Sequence, residues 1–188
     1  DELYERLMLY RSHGIVKDAA FFEHESHGPW YHEQVDLGYN YRITDIQCAL
    51  ILSQLDKLEM FAARRREIVN KYNEAFSEIP ELFVQQEIAE SDTTRHLYIL
   101  RIRPEMLRID RKGFFEAMAA ENICCNVHYI PVYWHPYYEK LGYKKGLCPN
   151  AEKLYEEMMS LPLYYSMTDQ DVEDVIQAVV KIVAYYKK

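Results

Sequence analysis

The sequence predicts an α+β fold: a small sheet covered by helices on one face. Three observations predict it. Helical spacing of apolar residues occupies most of the 188 residues. The period falls to two only briefly, over 96–103, with a second β-rich run at about 123–130. Strands and helices interleave, but the strands are few and the helices long. At roughly 150 residues per domain, the length suits one domain or one and a fraction.

The elements follow in order. Leu3, Leu7 and Tyr10 have helical spacing, and Gly14 is a natural stop. Residues 15–41 show neither period; Gly28-Pro29 breaks the backbone among His24, His27, Trp30, Tyr31 and His32, which predicts an extended aromatic loop. Thr44 with Gln47 three residues later spells a capping box. From there a long helix is predicted over 44–79, since no Gly or Pro appears until Pro80. Its first half, Ile46 to Leu55, is apolar around most of its circumference, as in helices buried on several sides. Its second half narrows to a stripe of Leu58, Phe61, Ile68, Tyr72, Ala75 and Ile79, with Arg64-Arg65-Arg66 on the watery side. That length predicts a break near 57–62.

A polar loop at 85–95 leads to the strand: His96, Tyr98, Leu100 and Ile102 face one way, and Pro104 ends it. Residues 110–121 form a helix through Phe114, Phe115 and Met118. A helix capped by Asn150 runs to Met159, and Leu161-Pro162-Leu163 is a short extended edge. Thr168 caps the last helix, whose stripe is Val172, Val175, Ile176, Val179, Ile182 and Val183.

The charge sum, 22 basic against 30 acidic residues, is −8. An acidic chain without a Lys/Arg-dense face argues against nucleic acid as partner. No apolar run reaches the roughly 18 residues of a membrane span. The four cysteines, Cys48, Cys124, Cys125 and Cys148, lack the spacing of a zinc half-site and read as reduced thiols of a cytoplasmic protein. No metal site is expected. Tyrosines number 17 against 7 phenylalanines, a bias that suits a wet cleft or an interface. There is no glycine-rich phosphate loop, no H-E-x-x-H and no G-x-S-x-G.

Two segments nevertheless carry chemistry. In Leu37-Gly38-Tyr39-Asn40-Tyr41-Arg42-Ile43-Thr44, an amide and a guanidinium stand just before a helix N-terminus, which suits an anionic phosphate. The same residues also suit a plain helix lead-in with Arg42 paired to a nearby carboxylate. In Asn126-Val127-His128-Tyr129-Ile130-Pro131-Val132-Tyr133-Trp134-His135-Pro136-Tyr137-Tyr138, two imidazoles and four phenols held by two prolines can offer hydrogen bonds and stacking faces to a polar ring. They equally suit a rigid aromatic corner packed on the core.

The order of these motifs along the chain resembles the DegT/StrS-type sugar-nucleotide aminotransferases. The matching segments are Arg11-Ser12-His13-Gly14, Leu37 to Arg42 running into Asp45 to Leu50, Arg64-Arg65-Arg66 with Tyr72, His96-Leu97-Tyr98, Val127 to Tyr133, Ala151-Glu152, Leu161-Pro162-Leu163 and Met167 to Val172. The His-Tyr-x-Pro-Val-Tyr segment is most similar to the branch that aminates UDP-4-keto-6-deoxy-N-acetylhexosamines toward pseudaminic acid. The resemblance implies the C-terminal small domain of an aspartate-aminotransferase-type (fold type I) enzyme, with a small, mainly antiparallel sheet covered by helices. It implies residues 1–42 as a segment of, or against, a large domain, and 43–188 as the small domain. It also implies pyridoxal 5′-phosphate (PLP), a nucleotide-sugar substrate, an amino-acid donor and a homodimer with sites at the subunit interface. Two alternatives stand beside it: a PLP-dependent sugar dehydratase on the same fold, and a non-catalytic interaction module whose apolar 46–55 helix buries against a partner. By the same resemblance Asn40 and Arg42 contact the cofactor, and Tyr41, His128, Tyr129, Tyr133 and His96 contact substrate. The Schiff-base lysine would precede Arg11-Ser12-His13-Gly14, where this sequence has none, so no catalytic residue is expected here.

Overall fold

The helical spacing that opens the chain becomes α1 (Glu2–Tyr10) in the computed structural model, which describes residues 1–188. The chain divides into two units, Asp1–Lys57 and Leu58–Lys188.

In the first unit the Asp1 carboxylate caps α1 by accepting from the Leu3 N–H at 3.1 Å. The 15–41 stretch, predicted without regular structure, contains a short antiparallel ribbon of β1 (Ile15–Val16) and β2 (Glu33–Gln34). Two residues per strand are too few for a period to show in sequence. Glu33 is buried and ties down the intervening loop: its carboxylate accepts from the Glu23 N–H (2.6 Å), the His24 N–H (2.9 Å) and the Tyr31 hydroxyl (2.9 Å). Thr44 and Gln47 close the predicted capping box and start α2 (Asp45–Leu55). No residue of α2 is buried.

The second unit begins with α3 (Leu58–Phe76). The helical stretch predicted over 44–79 is thus divided at Asp56-Lys57, at the near edge of the predicted break. Then come β3 (Leu82–Val84), β4 (Tyr98–Ile102), α4 (Arg111–Ala120), α5 (Pro136–Lys140), α6 (Pro149–Glu157), β5 (Met158–Leu161) and α7 (Asp169–Tyr186). The sheet is antiparallel in the order β3-β4-β5, with Leu100 opposite Val84 on one side and Met159 on the other. Tyr98, Leu100 and Ile102 alternate inward from β4 and meet Ile68, Tyr72 and Phe76 of α3, Phe114 and Met118 of α4, and the α7 stripe. The Tyr72 and Tyr98 rings pack edge to face at 4.9 Å. Both phenols keep a partner in the core: Tyr72 donates to the Pro162 carbonyl at 3.0 Å and Tyr98 to Asn73 Oδ1 at 2.8 Å.

Four expectations are corrected here. Residues 123–130 make no strand; they touch the outer edge of β5 through a single bridge, Asn126 to Ser160. The α6 helix starts at Pro149 after Cys148, not at an Asn150 cap, and ends at Glu157. The extended segment is therefore Met158–Leu161, three residues before the one predicted. Arg64 and Arg65 do not lie on a watery face. Arg65 Nη1 donates to the carbonyls of Arg95 (3.2 Å), His96 (3.1 Å) and Leu163 (3.2 Å). Arg64 donates to the Met167 carbonyl at 2.7 Å and pairs with Asp169 at 3.0 Å. Only Arg66 is exposed.

Candidate functional site

Candidate residues of the first unit are held by backbone pairing between two segments singled out in the sequence. The Tyr39 N–H donates to the Tyr10 carbonyl (2.7 Å), the His13 N–H to the Tyr39 carbonyl (2.9 Å) and the Tyr41 N–H to the Arg11 carbonyl (2.9 Å). Ser12 and Asn40 face each other as an antiparallel bridge. Glycine makes this approach possible. A Cβ on Gly38 would stand 2.2 Å from the Gly14 nitrogen, and Gly14 itself has φ +69° with the Asp36 carbonyl against it. The Tyr10 hydroxyl closes the same corner, donating to Asp36 Oδ2 at 2.6 Å. That bond, with the Leu37 N–H, holds the Asp36 carboxyl below its usual range.

From this platform Tyr39 and Tyr41 stack at 4.8 Å with rings 8° apart. Asn40, Tyr41 and Arg42 are all exposed. Neither the Asn40 amide nor the Arg42 guanidinium has a hydrogen bond or ion pair in the chain. The plain reading of Arg42, a pair with a neighbouring carboxylate, is therefore not what the chain forms. An unpaired amide and cation, four and two residues before the Thr44 cap, are a donor set that fits a phosphate.

The second unit holds the other candidates in three separate places. His128 Nδ1 lies 2.7 Å from Oγ of buried Ser160, and its ring meets Tyr129 edge to face at 4.7 Å. His128 borders a groove of about 650 Å³ between the sheet and α6, with Phe83, Leu97, Ile99, Arg101, Leu154 and Met158. Arg101 is paired there with Glu157 and lies over the Phe83 ring at 5.1 Å. Tyr129 is exposed.

Tyr133 is placed differently. Its hydroxyl donates to Glu152 Oε1 at 2.6 Å and accepts from the Cys148 N–H at 3.2 Å. Burial and the Glu152 carboxylate push the phenol up to about 12. His96 lies two residues before β4, exposed, on the turn whose carbonyl Arg65 holds; it is not among the residues lining the His128 groove. Sequence reasoning found Ala151-Glu152 as a motif without seeing its use, and it missed Ser160. An acid on a helix and a serine in a strand carry no local signal of partners 19 and 32 residues away.

The DegT/DnrJ/EryC1/StrS aminotransferase family model matches residues 1–180. An uncharacterized protein of Methanocaldococcus jannaschii is 43% identical over 185 residues, covering 98% of this chain and 48% of that protein. The UDP-4-amino-4,6-dideoxy-N-acetyl-beta-L-altrosamine transaminase of Campylobacter jejuni serotype O:2 is 33% identical over 188 residues, 100% of this chain and 47% of that protein. Among solved structures, Helicobacter pylori PseC, an aminotransferase involved in pseudaminic acid biosynthesis, superposes with a TM-score of 0.82 at 28% identity over 99% of this chain and 47% of its own. The PLP form of a Streptococcus pneumoniae protein gives 0.81 at 26% identity, covering 98% and 44%. The chain spans about half the length of the curated relatives it matches. With the family model matching nearly its whole length, the chain belongs to the DegT/DnrJ/EryC1/StrS aminotransferase family.

Proposed function

We propose that these residues serve a PLP-dependent aminotransferase that acts on a nucleotide-linked 4-keto-6-deoxy sugar, with an amino acid such as glutamate as donor. The observation that carries this reading is the Gly38–Arg42 platform: a rigid backbone pairing that presents an unpaired amide and an unpaired guanidinium just before a helix N-terminus. In this reading Asn40 and Arg42 hold the cofactor phosphate, as donors that neutralise an anion at close range. When bound, PLP supplies the carbonyl that carries the amino group from donor to sugar. Tyr41 borders the same region. His128 and Tyr129 contribute to the sugar-nucleotide pocket with Tyr133; His96, outside the His128 groove, is the outlying candidate.

The family and the transaminase name of the Campylobacter relative support the substrate class. The enzyme works as a homodimer in which Arg42 reaches the neighbouring subunit's cofactor. The chain alone supplies binding groups and no covalent lysine, so by itself it is inactive.

The test is chemical. The full-length enzyme, with PLP, receives a UDP-4-keto-6-deoxy-N-acetylhexosamine and nitrogen-labelled glutamate. The label should appear on C4 of the sugar. A product that has lost a hydroxyl and gained no label would mean a dehydratase on the same fold. No conversion with any nucleotide-linked keto sugar would leave an interaction module as the better reading.

A further inference from the structure

Ala151-Glu152 lies in the opening turn of α6, and a single Glu152 carboxylate oxygen, Oε1, collects three donors: the Tyr133 hydroxyl at 2.6 Å, the Gly146 N–H at 2.6 Å and, more distantly, the Trp134 indole N–H at 3.4 Å. The Tyr133 hydroxyl in turn accepts from the Cys148 N–H at 3.2 Å. Residues 133–134 and 146–148 are thereby drawn together at the base of a loop. Lys145 closes the same ring from the side, its ammonium 4.1 Å from the centre of the Trp134 ring. The loop carries exposed Tyr137, Leu141 and Tyr143, and Tyr129 precedes it. Charge-assisted bonds of this kind are stronger than neutral ones, so one carboxylate fixes both ends of the loop.

We infer that Glu152 is a positioning residue for the sugar-nucleotide pocket, acting through Tyr133, and that Tyr133 offers substrate its ring and not its hydroxyl. This deepens the proposed function and rests on its placement of Tyr129 and Tyr133 at the pocket. The phenol is already engaged at both its donor and its acceptor sides, so a contact to substrate would have to displace the clasp.

The experiment is a double-mutant cycle on the full-length enzyme, with KM for the nucleotide sugar, KM for the amino donor, kcat and thermal midpoint all measured. Glu152→Ala should raise the sugar KM about tenfold, the effect of losing one charge-assisted hydrogen bond. Its kcat and donor KM should stay within about twofold, a selectivity that general loosening of the fold would not give. Tyr133→Phe should match Glu152→Ala, and the double variant should be no worse than either, because both break the same clasp. Glu152→Gln keeps an acceptor oxygen and should recover most of the loss, which guards against a variant that merely folds poorly. The inference is overturned if Tyr133→Phe is far more damaging than Glu152→Ala and the two effects add, since the hydroxyl would then touch substrate. It is also overturned if Tyr129→Ala raises the sugar KM while Glu152→Ala leaves it unchanged. If Tyr129→Ala and Tyr133→Ala both leave the sugar KM unchanged, the pocket assignment fails, and the positioning role with it.

Discussion

Residues 1–57 and 58–188 treat apolar side chains in opposite ways. Every buried apolar residue lies in the second unit, beginning at Ala62. There α7 has one stripe, and Val172, Val175, Val179, Ile182 and Val183 are all within 5% of full burial. In the first unit α2 carries Ile46, Leu50, Ile51, Leu52 and Leu55, which are 48–77% exposed. A helix with one apolar stripe completes its own core, whereas one apolar all round is suited to being surrounded. The first unit is instead organised by backbone pairing, two close-packed glycines and one buried carboxylate. The comparison teaches that the first unit's apolar pattern is not consumed by its own fold; under the proposed function α2 packs against other protein.

The largest effect that can break this contrast is on stability. Phe114→Ala, at a fully buried position, should cost about 3–5 kcal/mol in urea unfolding of this chain. Leu50→Ala should change it by no more than about 0.5 kcal/mol, as at other exposed sites. Comparable losses at both would mean that α2 is already buried. A concentration-dependent effect follows from the same exposure. The 188-residue chain should self-associate, and charged residues in place of Leu50 and Leu52 should reduce this. Sedimentation as a monomer at every concentration would count against the contrast.

Within the second unit the arginine run sharpens it further. Arg65→Ala strips a donor from three carbonyls and should cost about 1–3 kcal/mol. Arg66→Ala loses only an exposed pair at 3.8 Å and should stay within about 0.5 kcal/mol. Equal effects would contradict the geometry. The smallest effect is on acid stability. Lys71 at 2.8 Å and Arg64 at 3.0 Å hold the Asp169 carboxyl below its usual range. Its folded-state pKa is depressed, so its contribution is complete above the unfolded value of about 3.9 and is lost as pH falls through the folded one. Asp169→Asn should flatten the fall of stability below about pH 4; an unchanged slope would remove Asp169 from the account.

What the sequence revealed follows the range of the interactions involved. The caps at Thr44 and Thr168 were legible because side chain and backbone partner are three residues apart. The α7 stripe and the β4 alternation were legible because burial repeats along the element. The three-residue strand β3 is too short to show a period. Arg64 and Arg65 look like a solvated run because several of their partners lie about 100 residues away. At the candidate site the platform residues were legible as a motif, but its pairing with Arg11–Gly14 was not. The two segments meet only because neither Gly14 nor Gly38 has a side chain in the way.

The most direct test of the central claim asks whether Arg42 serves a cofactor site across a subunit interface. In the full-length enzyme, Arg42→Ala subunits are mixed with subunits lacking the covalent lysine, each inactive alone and each folded and dimeric. A mixed dimer then holds one site with both the lysine and Arg42 intact, so random mixing should restore about a quarter of the wild-type activity. Mixed dimers that form normally and remain inactive would contradict the assignment of Arg42.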